Sequence, residues 1–377
     1  MNTKALAAML AAAALLFLHL PASAQLTIKD DINRPLILKS PAKRIVTLSP
    51  SLTELVYAAG AGDLVVGVDS LSDYPPEARE AAQVKTGAQF SIDQLVPLRP
   101  DLVLAWRDGI KKDQIDGITA FGATVFVANA KHLGDIPRLL EMIGRMTARD
   151  ATGVISDFET RLEKVKLANL NKPRMSAFLE IWNRPLTTIS GNHILSEALE
   201  VCRAENIFGE LPGAAPKVSI DDVAREDPYV IIGAGSANSP EEFRENWRIR
   251  QGLTAVRSQR LVYLDSDAIQ RPTPRTPEGI AQLCATLDAV RAGRNVPAVA
   301  AMPAKRVAPA EAAAAPGAAA AAAALLRPVS PLPGGTNPAP SAPTVAVPAT
   351  PPEQPPSAAA PTPAPSQKPR RPSQFGM

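Results

Sequence analysis

Two tryptophans, each followed at once by polar or charged residues, are the first places where this chain could do chemistry: Trp106-Arg107-Asp108 and Trp182-Asn183-Arg184. Aromatic residues make up only 4% of the sequence, so the positions of the few carry weight. Each tryptophan closes an apolar run of the kind that forms a buried strand, "DLVLAW" and "SAFLEIW". Core packing is the commoner fate of so large a ring. The alternative is a place at the carboxyl edge of a sheet, where open α/β folds bind ligands. Two such rings facing one cleft would form stacking walls for a large flat molecule.

Enzyme signatures are missing. The chain has no G-x-S-x-G elbow, no P-loop and no G-x-G-x-x-G after a strand. "GAGSAN", Gly233–Asn238, misses both glycine spacings and reads as a turn at a strand end. His19, His132 and His193 lack H-x-x-x-H or C-x-x-C partners, which gives little support to a metal centre. A secreted α/β hydrolase or transferase is therefore the weaker reading, and a binding protein without catalytic residues the stronger.

The elements that must position these residues alternate. "RIVTLS", "LVVGV", "DLVLAW" and "TVFVAN" read as strands, with helices between and after them. Ser51 to Glu54 and Ser91 to Gln94 fit the capping-box spacing, so helices are expected to open at both. Strand–helix alternation predicts a parallel sheet covered by helices. From Arg149 the strand signal stops, and Val154, Ile155, Phe158, Leu162 and Val165 recur at helical spacing until Pro173. Alternation then resumes, and one stretch is written twice: "SIDQLVPLRPDLVLAW" from Ser91 and "SIDDVAREDPYVIIGA" from Ser219. The same helix–turn–strand unit is thus expected once in each of two similar lobes. The expected order is an N-terminal α/β lobe over 25–148, a single long backbone helix over 149–171 and a C-terminal α/β lobe over 172–296, with a ligand cleft between the lobes.

The two ends differ from this body. Residues 1–24 hold Lys4, an Ala/Leu stretch and the small-x-small Ala22-Ser23-Ala24, the pattern of a secretory signal peptide; the apolar stretch is short for a membrane span. Residues 297–377 carry 20 of the 38 prolines, long alanine runs and a single aromatic, Phe375. So little apolar bulk predicts a disordered Pro/Ala-rich tail. With six Lys/Arg against two Glu there and Lys4 at the start, the overall charge of +3 leaves the body at −2. The body thus has no nucleic-acid footprint. Cys202 and Cys284 are either one disulfide or two buried thiols, and export to an oxidising compartment makes the disulfide the expectation.

The stretches "RIVTLSPSLTEL", "SDYPPEA", "LRPDLVLAWR", "LEVCRAENIF" and "AQLCATL" resemble the periplasmic substrate-binding proteins of ABC importers, in the class with a rigid backbone helix. That family takes up cobalamin, haem and iron–siderophore complexes, and the resemblance, which covers about 40–293, is to its cobalamin-binding members above all. It implies two Rossmann-like lobes, periplasmic capture of a corrinoid, and delivery by a monomer to an inner-membrane permease and its ATPase. It implies a disulfide between Cys202 and Cys284, a ligand wall at Trp106 and polar ligand contacts from "DAIQR", Asp267 to Arg271. Where it implies further aromatics the chain has Leu71, Gly87, Ile181, Ala215 and Ala268, with Trp182 and Phe90 one to three places from two of them. A haem ligand would instead call on Tyr74 or His193 as axial ligand, and a ferric siderophore on Arg107, Arg184 or Arg271. Asp93 and Asp221, third in the two duplicated stretches, match positions where the family carries glutamates that dock onto arginines of the permease; each is expected in the first turn of a helix.

Overall fold

The computed structural model describes residues 25–235, 239–264 and 266–294; the expected signal peptide and tail lie outside them. A short antiparallel hairpin, β1 (Leu26–Lys29) and β2 (Pro35–Leu38), precedes a first parallel sheet. That sheet is built from β3 (Ile45–Thr47), α1 (Pro50–Ala58), β4 (Val65–Asp69), β5 (Ala82–Val84), β6 (Leu102–Trp106), α2 (Lys112–Ala120), β7 (Thr124–Ala128) and α3 (Asp135–Thr147). Then comes α4 (Thr152–Asn169). A second parallel sheet follows, from β8 (Met175–Glu180), α5 (Ile194–Val201), β9 (Ala204–Asn206), α6 (Ile220–Glu226), β10 (Val230–Ala234), α7 (Pro240–Arg248), α8 (Thr254–Arg257), β11 (Leu261–Leu264), α9 (Ser266–Gln270) and α10 (Thr276–Arg291).

Strand order is β5-β4-β3-β6-β7 in the first sheet and β11-β10-β8-β9 in the second. In both, the chain winds outward to one edge and then jumps back across the sheet. The jump runs from β5 to β6 and from β9 to β10. It leaves a topological switch point between β3 and β6, and another between β8 and β10. The two "SID" stretches lie within these two jumps and lead into β6 and β10.

Parallel strands must be covered on both faces, so their side chains sort by a period of two. Val46, Val103, Ala105, Val125 and Val127 face one core with Ile115 and Ile118 of α2. Ile45, Leu102, Leu104, Phe126 and Ala128 face the opposite way. They share a core with Ala177, Leu179, Val230, Ile232 and Val262 of the second sheet. Phe158 and Leu162 of α4, buried at 1% and 7% exposure, stand within that shared core. The sequence stripe on this helix therefore points where its spacing predicts, and about 27 Å of helix is pinned along its length. Phe178, Ile231, Phe243 and Trp247 form the second sheet's outer core.

Cys202, at the end of α5, and Cys284, on α10, are joined as a disulfide and lie buried. Closing a loop of 82 residues restricts the unfolded chain by on the order of 4 kcal/mol.

Two expected helix starts are corrected. Helix α1 begins at Pro50 with Ser49 extended at its N-cap, because a proline at the first helical position presets the turn; Ser51 is buried and caps nothing. At Ser91 there is a 3₁₀ turn, Ile92–Gln94, instead of an α-helix. Pro97 stands where the second turn would need a backbone donor, and the Gln94 side chain turns back to the backbone of Lys85. Asp93 is therefore not in the first turn of an α-helix. The stretch at Ser219 has no such proline, and it forms α6 with a capping box from Ser219 and Asp222. "YPPEARE" likewise yields a 3₁₀ turn, Pro76–Glu80.

Candidate ligand-binding site

Side chains that follow strand ends of the two sheets meet in two places. The first meeting place starts at β4. Its last residue, Asp69, accepts from the Leu71 amide at 2.8 Å and from the Thr86 hydroxyl, which folds the chain back at 70–74. Ser72 in this turn hydrogen-bonds Thr53 of α1 at 2.8 Å, and Thr53 hydrogen-bonds Thr47 of β3 at 2.7 Å, a buried hydroxyl chain. Helix α1 is thereby fixed against the sheet, and Glu54 with it.

Glu54 is 3% exposed and belongs to no capping box. Its two oxygens accept from Arg275 of the second lobe at 2.6 and 2.8 Å, and Arg271 approaches at 3.3 Å. Arg271 donates as well to Asp73 at 2.8 Å and pairs with Asp267 at 3.1 Å. The Arg275 guanidinium lies 4.1 Å over the ring of Tyr74. Five charged groups and one phenol from both lobes thus form a single cluster.

Burial opposes charge on Arg271, but the hydrogen bond to Asp73 and the charges of Asp267, Asp73 and Glu54 outweigh it and hold its pKa above the ordinary value. Arg275 is raised in the same way, burial being outweighed by Glu54. Burial pulls the Asp73 carboxyl up, yet the hydrogen bond and charge of Arg271 dominate and hold it low. For a carboxylate with a depressed folded-state pKa, the stabilisation is present above the unfolded value and lost as pH falls through the folded one. The Asp73–Arg271 contact therefore persists at neutral pH and fails only below the ordinary aspartate value of 3.8. Burial, offset in part by Arg275, pushes the Tyr74 phenol up.

A second cross-lobe contact lies beyond β7. His132 Nδ1 meets Glu197 of α5 at 2.5 Å, and the other Glu197 oxygen accepts from the Leu133 amide at 2.6 Å. Its counterpart histidine, His193, accepts at Nδ1 from the Leu195 amide at the start of α5, and burial lowers its pKa.

Trp106 ends β6 and Trp182 stands two residues past β8, each beside the switch point of its own sheet. Trp106 is half-buried against the shared core. Trp182 is 59% exposed, and its indole Nε1 donates to the Arg184 carbonyl at 2.9 Å. Gly235 closes β10 at the same switch point with a left-handed φ of 71°, and a Cβ there would stand 3.1 Å from the Gln270 amide. Leu71, 71% exposed, follows β4. Phe90 is half-buried against the outer core of the first sheet. Arg107 lines a hollow of about 460 Å³ with Ile32, Arg34 and Ile110, and Arg184 another of about 230 Å³ with Ile249 and Arg250. The structure thus brings together Tyr74, Asp267 and Arg271, but not Arg107 or Arg184 with them. Glu54, Asp73 and Arg275 escaped the sequence reading. Asp93 and Asp221 are exposed, within the two equivalent jumps. Among the described residues no group of three or more His, Cys, Asp or Glu is placed to hold a metal, and no helix is long and apolar enough to cross a membrane.

The sequence model of the periplasmic binding protein family matches residues 45–268. A vitamin B12-binding protein of Vibrio parahaemolyticus is 30% identical over 256 residues, 67% of this chain and 92% of the relative. The crystal structure of a periplasmic vitamin B12-binding protein of Vibrio cholerae superposes with a TM-score of 0.60 at 31% identity, over 67% of this chain and 98% of that one. A periplasmic haem-binding protein of Pseudomonas aeruginosa, 23% identical, shares the fold at a TM-score of 0.56 over 65% of this chain and 92% of its own.

Removing the Glu54 carboxylate tests the cross-lobe cluster. Glu54→Ala leaves Arg275 without its carboxylate and should cost about 2–3 kcal/mol, at or below the bottom of the roughly 3–5 kcal/mol of a fully buried pair because Arg275 is 27% exposed. Glu54→Gln, which keeps an acceptor, should cost less. Urea unfolding of the variants measures both, and a loss below about 0.5 kcal/mol for Glu54→Ala would show that the cluster does not help join the lobes. With two parallel sheets whose strand-end side chains meet, and relatives named for the ligand they bind, the chain belongs to the periplasmic binding protein family: it is a substrate-binding protein and not an enzyme.

Proposed function

We propose that the chain is exported to the periplasm by residues 1–24, captures a corrinoid, cobalamin or a related cobamide, between its lobes, and hands it as a monomer to an inner-membrane ABC permease driven by its ATPase. The observation that carries this reading is Trp182. A tryptophan exposed to 59% at a switch point, with its one donor already satisfied by the Arg184 carbonyl, keeps its flat face unspent. A ring held in place pays little ordering entropy when a ligand stacks on it. Leu71 and Trp106 supply apolar surface at strand ends of the other lobe. The relatives named for vitamin B12 support the same ligand class.

Haem and ferric siderophores, the other ligands of this class, find less support. Haem wants an axial Tyr or His; Tyr74 lies under Arg275, and the His193 Nδ1 is taken by the Leu195 amide. A siderophore's anionic groups want free cations, and Arg271 is engaged by carboxylates. Calorimetry with cyanocobalamin tests the proposal: the protein should bind it, and Trp182→Ala should weaken binding by roughly 1–3 kcal/mol, about 5- to 150-fold. Absence of binding to the unaltered protein would retire the corrinoid reading.

Asp93 and Asp221 fit permease docking. They are exposed, carry charge, and open equivalent segments of two related lobes, which matches a partner with two-fold symmetry. Each is one methylene shorter than the glutamate that the family carries. Changing both to Arg should abolish uptake and permease binding while ligand affinity stays at the unaltered value. Uptake that survives the double change would put docking elsewhere; a loss of ligand affinity would put the two residues in the cleft.

A further inference from the structure

The cross-lobe cluster holds more acid than base. Arg271 and Arg275 face Glu54, Asp73 and Asp267, so three negative charges meet two positive ones. The charges are also layered. Glu54 is 2% exposed and Arg271 18%, whereas Asp73 and Asp267 are 46% and 48% exposed. The cations stand behind, and the carboxylates stand at the strand-end surface, one from each lobe. Asp73 belongs to the turn after β4 and Asp267 to α9 after β11, so each follows a strand end of its own sheet. Each keeps one oxygen on Arg271, through Oδ1, at 2.8 and 3.1 Å.

We propose that Asp73 is a specificity-determining residue: with Asp267 it masks Arg271 from the cleft, so that the site admits a ligand without net charge and disfavours polyanionic ones such as a haem dicarboxylate. The inference rests on ligand capture between the lobes, but not on the ligand being a corrinoid. At half-exposed sites a unit charge some 6–10 Å from a ligand anion acts through a high effective dielectric and shifts affinity by several-fold, and salt weakens it.

The test uses the full mature chain, with cyanocobalamin as the uncharged probe and hemin, with its two propionates, as the anionic one. Affinities are read from tryptophan quenching at about 0.05 and 0.5 M salt. Asp73→Asn should raise hemin affinity relative to cyanocobalamin affinity about five- to tenfold at low salt, a shift in the ratio that shrinks at high salt. Asp73→Glu, which restores the charge, should return hemin to the unaltered value. Thermal melts of each variant confirm folding before affinities are compared. Hemin affinity unchanged in Asp73→Asn, at whatever level it stands, would overturn the inference, as would an equal rise for both probes. Failure of the unaltered protein to bind cyanocobalamin, with the hemin gain still seen, would remove the corrinoid reading and leave this one standing.

Discussion

A parallel sheet is apolar on both faces, and in this protein two sheets spend one face each on a core they share. Everything else follows from that sharing. Ile45, Leu102 and Phe126 of the first sheet and Ala177, Val230 and Val262 of the second belong to one buried cluster. Helix α4 is not a free linker: Phe158 and Leu162 sit in that cluster, and Val154, Ile155 and Val165 pack against it. Arg161 of α4 pairs with Glu278 of α10 and Lys172 just beyond it with Asp288, so the helix is tied to the second lobe by charge as well as by burial. The lobes thus draw on one core, and charged groups at their strand ends meet at hydrogen-bond distance.

The shared core also dictates which surface is left for function. With both faces of each sheet used, the carboxyl ends of the strands are the free concave surface, and the winding order decides where it is deepest. Each chain jump, β5 to β6 and β9 to β10, opens one crevice, and Trp106 and Trp182 stand beside the two crevices. The repeated "SID" stretch lies within the jump and leads into the strand that ends it. Its repetition reflects a repeated topological need, to leave an edge strand and cross the sheet, and the exposed Asp93 and Asp221 inherit equivalent positions from it.

Much of this was legible in the sequence. Apolar runs marked the long strands, the stripe from Val154 to Val165 marked α4, and the resemblance pointed to the Cys202–Cys284 disulfide. What failed to show were elements with little apolar content, such as the three-residue edge strands β5 and β9. Local rules also misled where a distant partner won. Ser51 and Glu54 have capping-box spacing, but Arg275, far along the chain, offers the carboxylate two charge-assisted hydrogen bonds that a cap cannot match. Arg271 was expected among polar ligand contacts, and its hydrogen bond to Asp73 is a long-range contact that no spacing announces. Trp106 and Trp182 looked alike in sequence, and only packing separates the half-buried ring from the exposed one.

The proposed reading, capture of a large, flat ligand of low net charge, rests on an exposed, anchored indole at one switch point and on arginines held by carboxylates where the lobes meet. The visible absorption spectrum of the protein purified from the periplasm of its native host tests this most directly. A corrin spectrum that stays with the protein through gel filtration is the result this account predicts. A haem Soret band or a siderophore charge-transfer band in its place would contradict it.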